Sequence, residues 1–127
     1  MLNDEELTGL IIKAFYTVYN TLGYGFLEKV YENALAVELR RLGLAAECQR
    51  PIAVYYGGEL VGEYFADIVV NGKVILELKA AEALHPAHEA QLVNYLRATD
   101  IETGFLFNFG REAKFARKYF SNERKRR

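Results

Sequence analysis

Tyr64-Phe65-Ala66-Asp67-Ile68-Val69-Val70-Asn71-Gly72-Lys73-Val74-Ile75-Leu76-Glu77-Leu78-Lys79-Ala80 is the stretch on which the fold turns. Two runs rich in Val, Ile and aromatic residues flank Asn71-Gly72. That dipeptide between β-prone runs predicts a hairpin. Three charged residues, Asp67, Glu77 and Lys79, are set into the two runs. A carboxylate inside so apolar a strand has to be paired, hydrogen-bonded or bound to a cation.

Strand parity sharpens this. Side chains alternate across a strand, so Glu77 and Lys79 share one face. With a two-residue loop Val70 would pair with Lys73, and Asp67 and Glu77 would point to opposite faces. One ion can serve both carboxylates only if the loop is odd in length. A three-residue loop, Val70-Asn71-Gly72 with Gly72 at positive φ, pairs Val69 with Lys73 and Asp67 with Ile75. Glu-x-Lys by itself is a weak signal, and an ordinary ion pair of Lys79 with either acid accounts for it equally well.

Working back along the chain, residues 60–70 are preceded by the turn Tyr56-Gly57-Gly58-Glu59 and a strand over 46–56. Three sequential strands with short turns predict an antiparallel meander. Before it lie two helices. Asn3 and Glu6 have capping-box spacing, and Leu7, Leu10, Ile11, Ala14, Phe15, Val18 and Leu22 form one helical stripe. Gly23-Tyr24-Gly25 ends that helix, and a second runs over about 26–42 until Gly43. Working forward, His85-Pro86 introduces a helix over 87–98, and residues 102–109 read as a strand. Residues 111–120 fit a helix or a terminal strand. The helix at 87–98 is a crossover that lets the strand at 102–109 join the meander in parallel. The order α-α-β-β-β-α-β gives an α/β (α+β) sandwich with a mixed central sheet flanked by helices.

The chain has 127 residues, 51% of them hydrophobic and 26% charged, which suits one domain over 1–127. Cys48 is the one cysteine, so no intramolecular disulfide forms. A reducing, cytoplasmic setting is expected. Asn3-Asp4-Glu5-Glu6 stands where a signal peptide would be basic. No apolar run approaches the ~20 residues that span a bilayer, so no membrane partner is expected. Net charge is −1, yet residues 111–127 are strongly basic and end in a basic tail at 121–127 (Arg124, Lys125, Arg126, Arg127). This asymmetry suits a polyanion partner. A solvated chain end explains it as well.

Further polar residues stand at regular places. Glu28 falls in the first turn of the second helix, where the dipole alone would favour it. Glu32 is one turn later and is an alternative to it. Gln91 and Tyr95 are spaced i, i+4 on one face of the helix at 87–98. His85 and His88 lack partners at zinc spacing and suit surface or capping roles, and Cys48 suits an inert strand position. Tyr16 and Tyr19 lie off the first helix's apolar stripe and suit an oligomer contact.

Helix Glu28, strand Asp67, next-strand Glu77-x-Lys79 and following-helix Gln91-x-x-x-Tyr95, in that order, resemble the PD-(D/E)XK nuclease superfamily. Gly25-Phe26-Leu27-Glu28-Lys29-Val30-Tyr31 resembles the signature of its GxxExxY family. The resemblance runs from the first helix to about residue 120. It departs at Ala66, where Pro is the superfamily's usual residue. It implies a restriction-endonuclease-like core that hydrolyses phosphodiester bonds with Mg²⁺ (or Mn²⁺). Hard divalent cations take oxygen ligands and keep several waters, which makes Asp67 and Glu77 direct ligands and Glu28 a ligand directly or through water. Lys79 would orient the nucleophile or stabilise the transition state, with Gln91 and Tyr95 supporting it. Nucleic acid, DNA before RNA, is then the partner. A homodimer would present two sites to two strands. The alternative on the same fold is a catalytically silent nucleic-acid-binding or regulatory module.

Overall fold

The computed structural model describes residues 1–126. Helix α1 (Asp4–Leu22) begins at a complete capping box. Glu6 N–H donates to Asn3 Oδ1 at 2.8 Å, and Asn3 N–H donates to Glu6 Oε1 at 3.0 Å. Helix α2 (Glu28–Arg41) follows, then strands β1 (Ala46–Tyr56), β2 (Glu59–Val70) and β3 (Val74–Lys79). Helix α3 (Pro86–Ala98) leads to β4 (Thr103–Phe109) and β5 (Ala113–Tyr119). The five strands form one sheet in the order β1-β2-β3-β4-β5. The meander is antiparallel, and β4 joins β3 in parallel across the α3 crossover. This mixed α+β sandwich is a restriction-endonuclease-like fold.

The two faces of the sheet carry separate cores. Phe15, Leu35, Leu39, Ile68, Leu76, Leu78 and Phe107 pack on the side of α1 and α2. Ile52, Ala66, Ile75, Leu92, Leu96 and Leu106 pack on the side of α3. Residues 113–119, open between helix and strand from the sequence, form an edge strand on β4. Phe115 turns inward against Phe15, Phe105 and Phe107. Exposed Lys114 lies along this outer edge, where charges discourage pairing with other chains, and half-buried Lys118 reaches Glu89 on α3 at 2.7 Å.

Tyr19, read above as an oligomer contact, instead anchors the turn after β4. Its hydroxyl lies 2.7 and 2.6 Å from the carbonyl oxygens of Gly110 and Arg111. His85 and His88 cap α3: Ala87 N–H donates to His85 Nδ1 at 3.0 Å, and His85 N–H to His88 Nδ1 at 3.3 Å. The basic tail folds back on the domain. Lys125 Nζ donates to the carbonyls of Thr99 and Ile101 just past the end of α3. Its last residue, Arg127, lies outside the described residues.

Candidate active site at the fork between β2 and β3

The turn that joins β2 to β3 sets the register of the site. Asn71 and Gly72 both have positive φ, 52° and 65°, and Lys73 N–H donates to Val70 O at 2.9 Å. Val70 pairs with Val74, not with Lys73. Lys73 is therefore the extra residue that gives the odd offset. The parity argument holds, but the loop is Asn71-Gly72-Lys73 where the sequence reading placed Val70-Asn71-Gly72. The physical reason is distant in sequence. Asn71 Oδ1 accepts Ala45 N–H, and Asn71 N–H donates to Ala45 O, both at 2.8 Å, which holds Asn71 rather than Val70 in the turn. Continuing this register puts Asp67 opposite Glu77 instead of Ile75.

β2 pairs with β3 only over Ile68↔Leu76 to Val70↔Val74. Beyond that, β2 stays with β1 while β3 stays with β4. The strands part at the level of Asp67 and Glu77, and these side chains fill the fork. Asp67 N–H donates to Glu77 Oε2 at 2.9 Å, and Leu78 N–H donates to Asp67 Oδ2 at 2.8 Å. Each carboxylate thus takes a backbone donor left unpaired by the fork. Their second oxygens, Asp67 Oδ1 and Glu77 Oε1, accept no hydrogen bond among the described residues. Among the described residues no buried polar side-chain atom lacks a partner, so solvent reaches both oxygens.

The β2 pleat breaks at this point. Residues two apart on a regular strand share a face, yet Ala66 packs on the α3 side and Ile68 on the α2 side. Opposite Asp67, Gln49 drops out of the ladder between the pairs Cys48↔Ile68 and Arg50↔Ala66. Its φ is 55°, a backbone state sparsely populated for a non-glycine residue. Gln49 Nε2 donates to Glu32 Oε1 at 2.8 Å, and Lys29 Nζ reaches Glu32 Oε2 at the same distance. Gln49 carries no strand-breaking signal in the sequence, and its contact to α2 is visible only in the fold.

The helix side of the site explains the spacing of Gly25, Glu28 and Tyr31. Gly25 has φ 113°, which a side chain would disfavour. The Tyr31 hydroxyl donates to Gly23 O at 2.6 Å and accepts Phe26 N–H at 3.2 Å. Its ring stacks on Phe109 with centroids 4.3 Å apart. Glycine and tyrosine together fix the loop from which Glu28 starts α2. Glu28 remains exposed, while Glu32 is buried. Asp67 feels Glu32 more strongly than Glu28, and Glu77 feels Glu32 too. Among the described residues no three His, Cys, Asp or Glu side chains converge as a metal would require, so the structure does not bring Glu28 into one cluster with Asp67 and Glu77.

Burial disfavours negative charge at the fork. Burial pushes the Glu77 carboxyl up to about 8, with the Asp67 charge adding to it. Burial also raises Asp67, against the pull of the Leu78 N–H. Lys79 is half-buried and its charge eases both. Among the described residues, however, it makes no ion pair with either acid. On α3, Gln91 Nε2 donates to Tyr95 Oη at 2.8 Å. Burial, then the charges of Glu77 and Asp67, push the Tyr95 hydroxyl up to about 12. The fork therefore gathers Asp67, Glu77 and Lys79, with Gln91 and Tyr95 beside them.

The exit from β3 is held from β4. Ala81 N–H donates to Asn108 Oδ1 at 3.0 Å, and Asn108 Nδ2 donates to Ala81 O at 2.9 Å. A Cβ on Gly110 would lie 2.3 Å from Ala81 O, a backbone atom that cannot swing aside. Gly110→Ala should accordingly lower stability by about 1–3 kcal/mol through overpacking. Thermal melts check this, and an unchanged Tm would mean that the segment after Lys79 yields freely.

A mixed sheet flanked by helices, with an acidic pair and a lysine where two strands part, is the architecture of a restriction-endonuclease-like protein. Residues 5–119 match the family model of the PD-(D/E)XK nuclease superfamily, and the chain belongs to that superfamily. The superfamily acts on nucleic acid and generally uses divalent metal ions. Among solved structures the chain is similar to the crystal structure of SSO0001, with a TM-score of 0.58 and 19% identity. That match covers 73% of this chain and 50% of SSO0001, so the chain spans about half the length of that relative. No curated protein matches the chain.

Proposed function

We propose that this chain is a divalent-metal-dependent nuclease of the GxxExxY kind, hydrolysing phosphodiester bonds of DNA in preference to RNA and working as a homodimer. The observation that carries the reading is the geometry of the fork. Two carboxylates, one of them buried, each spend one oxygen on a backbone N–H and leave the other to solvent, with no cation in ion-pair range among the described residues. The donor set is all oxygen, which fits Mg²⁺ or Mn²⁺. Asp67 and Glu77 would hold the ion, and Glu28 would reach it through water. When bound, such an ion supplies charge neutralisation at the phosphate and an acidified water. Lys79 faces the same fork and orients the attacking oxygen or takes up charge on the phosphate. Gln91 and Tyr95 hold the α3 side of the site in place through their mutual hydrogen bond.

Metal binding is the first test. Mg²⁺ or Mn²⁺ at about 100 times its Kd should raise stability by about 2.7 kcal/mol through mass action. That gain in Tm should vanish in Asp67→Ala. Cleavage of labelled single-stranded, duplex and branched DNA and RNA then separates a nuclease from a silent binding module. A metal-induced shift that survives Asp67→Ala would move the site elsewhere. Metal binding without turnover on any substrate would favour the binding module.

A further inference from the structure

We propose that the groove between α3 and the β1–β2 hairpin is a nucleobase-binding subsite, which takes one unpaired base of the substrate strand beside the catalytic fork. The inference rests on the nuclease reading and names the form of substrate that the same site prefers. The groove has a volume of about 680 Å³, within the range of small-ligand pockets. Its hairpin wall carries Tyr55 and Tyr64, which are 56% and 48% exposed. Both leave aromatic surface open to the groove. The Tyr64 ring lies 5.7 Å from that of Tyr95, tilted by 44°. Tyr95 belongs to both places, since it lines the groove and feels the charges of Glu77 and Asp67.

Three features commit the groove to a base and its phosphate rather than to an apolar ligand or a protein segment. Every base offers a flat π-face, and stacking on an aromatic side chain contributes ~1–3 kcal/mol per base. Polar atoms are available for its edge: the Asn94 side chain makes no hydrogen bond among the described residues, and the Gln91 side chain commits only its Nε2, leaving its carbonyl oxygen open. Charge is complementary too. Arg97 and Arg126 line the groove, and no Asp or Glu does. A stacked base pair hides both faces of its bases, so only an unpaired or flipped-out base can enter.

The test measures binding without cleavage, in EDTA, by fluorescence anisotropy. The probes are labelled single strands of dT and of U, roughly 12 nucleotides long, and a DNA duplex of equal length. Single strands should bind more tightly than duplex, and the dT and U arms show which sugar is preferred. Tyr64→Leu should weaken single-strand binding by about 5- to 160-fold, the span of one stacked base, while Tyr64→Phe keeps it. Duplex affinity should hold in both variants. No binding of either single strand, or a Tyr64→Leu affinity equal to wild type, overturns the subsite. So does an equal loss on duplex. Catalysis is judged separately. Cleavage that persists with no Tyr64 effect on binding leaves the nuclease reading and removes the groove. Tyr64-dependent binding in a protein that cuts no substrate does the reverse.

Discussion

Lys79→Met should reduce phosphodiester cleavage on the order of 10²–10³-fold, the usual loss when one preorganised charge at a reacting group is removed. Metal binding should survive. Lys79 is half-buried on β3, two residues past Glu77 and on the same side of the strand. It makes no ion pair with Asp67 or Glu77 at the fork, and its register partner on β4 is Asn108. Methionine keeps an unbranched stem of similar shape and removes the ammonium group. With a neighbouring cation gone, the carboxylate pair is left more negative, so affinity for Mg²⁺ should be unchanged or slightly tighter. A purely structural lysine would give another pattern, with a lowered Tm and wild-type turnover per folded molecule. Single-turnover cleavage with a parallel metal titration distinguishes them. Wild-type cleavage in Lys79→Met would remove Lys79 from the chemistry.

The sequence made the helices and the meander legible because each announces itself locally. Asn3 and Glu6 close a capping box in the structure as their spacing implies, and the stripe from Leu7 to Val18 is buried. Asn71-Gly72 located the hairpin, and parity required an odd offset. Local chemistry could not say which three residues form the loop, because Asn tolerates positive φ better than most non-glycine residues and can share the turn with Gly. Contact with Ala45, distant in sequence, decides it. Residues 113–119 were ambiguous for a related reason: Phe115 and Ala116 pack on opposite faces, and only the free edge of β4 shows that a strand achieves this. The break in the pleat at Asp67 and Gln49 left no trace in the sequence. A glutamine at φ 55° is explained only by the fold around it, including the buried Glu32 that its amide holds. The same holds for the groove, which exists because the hairpin of β1 and β2 arches over α3.

Glu77→Gln should make the metal-free protein more stable at alkaline pH, even though it removes a residue central to the proposed reaction. Folding buries the Glu77 carboxyl beside Asp67 and lifts it to about 8 from its ordinary 4.5. The folded state therefore holds a proton that the unfolded chain releases near pH 4.5. Stability must fall as pH rises from about 4.5 to about 8. At 1.36 kcal/mol per pKa unit the loss is on the order of 3–5 kcal/mol above pH 8. Glutamine stays neutral throughout, and its carbonyl oxygen can still accept Asp67 N–H in place of Glu77 Oε2. Melts in EDTA should show wild type losing Tm between pH 5 and pH 8.5 by roughly 10–20 °C, whereas Glu77→Gln loses much less, what remains coming from Asp67. The curves should meet at the acidic end, where Glu77 is protonated in both folded and unfolded chains. Adding Mg²⁺ should restore wild type at pH 8.5 and leave the variant unmoved, because neutral glutamine is a poor ligand for a hard cation. A Glu77→Gln protein that melts at or below wild type at pH 8.5 in EDTA would show that Glu77 is already neutralised by its surroundings, and the fork would have no need of a metal ion.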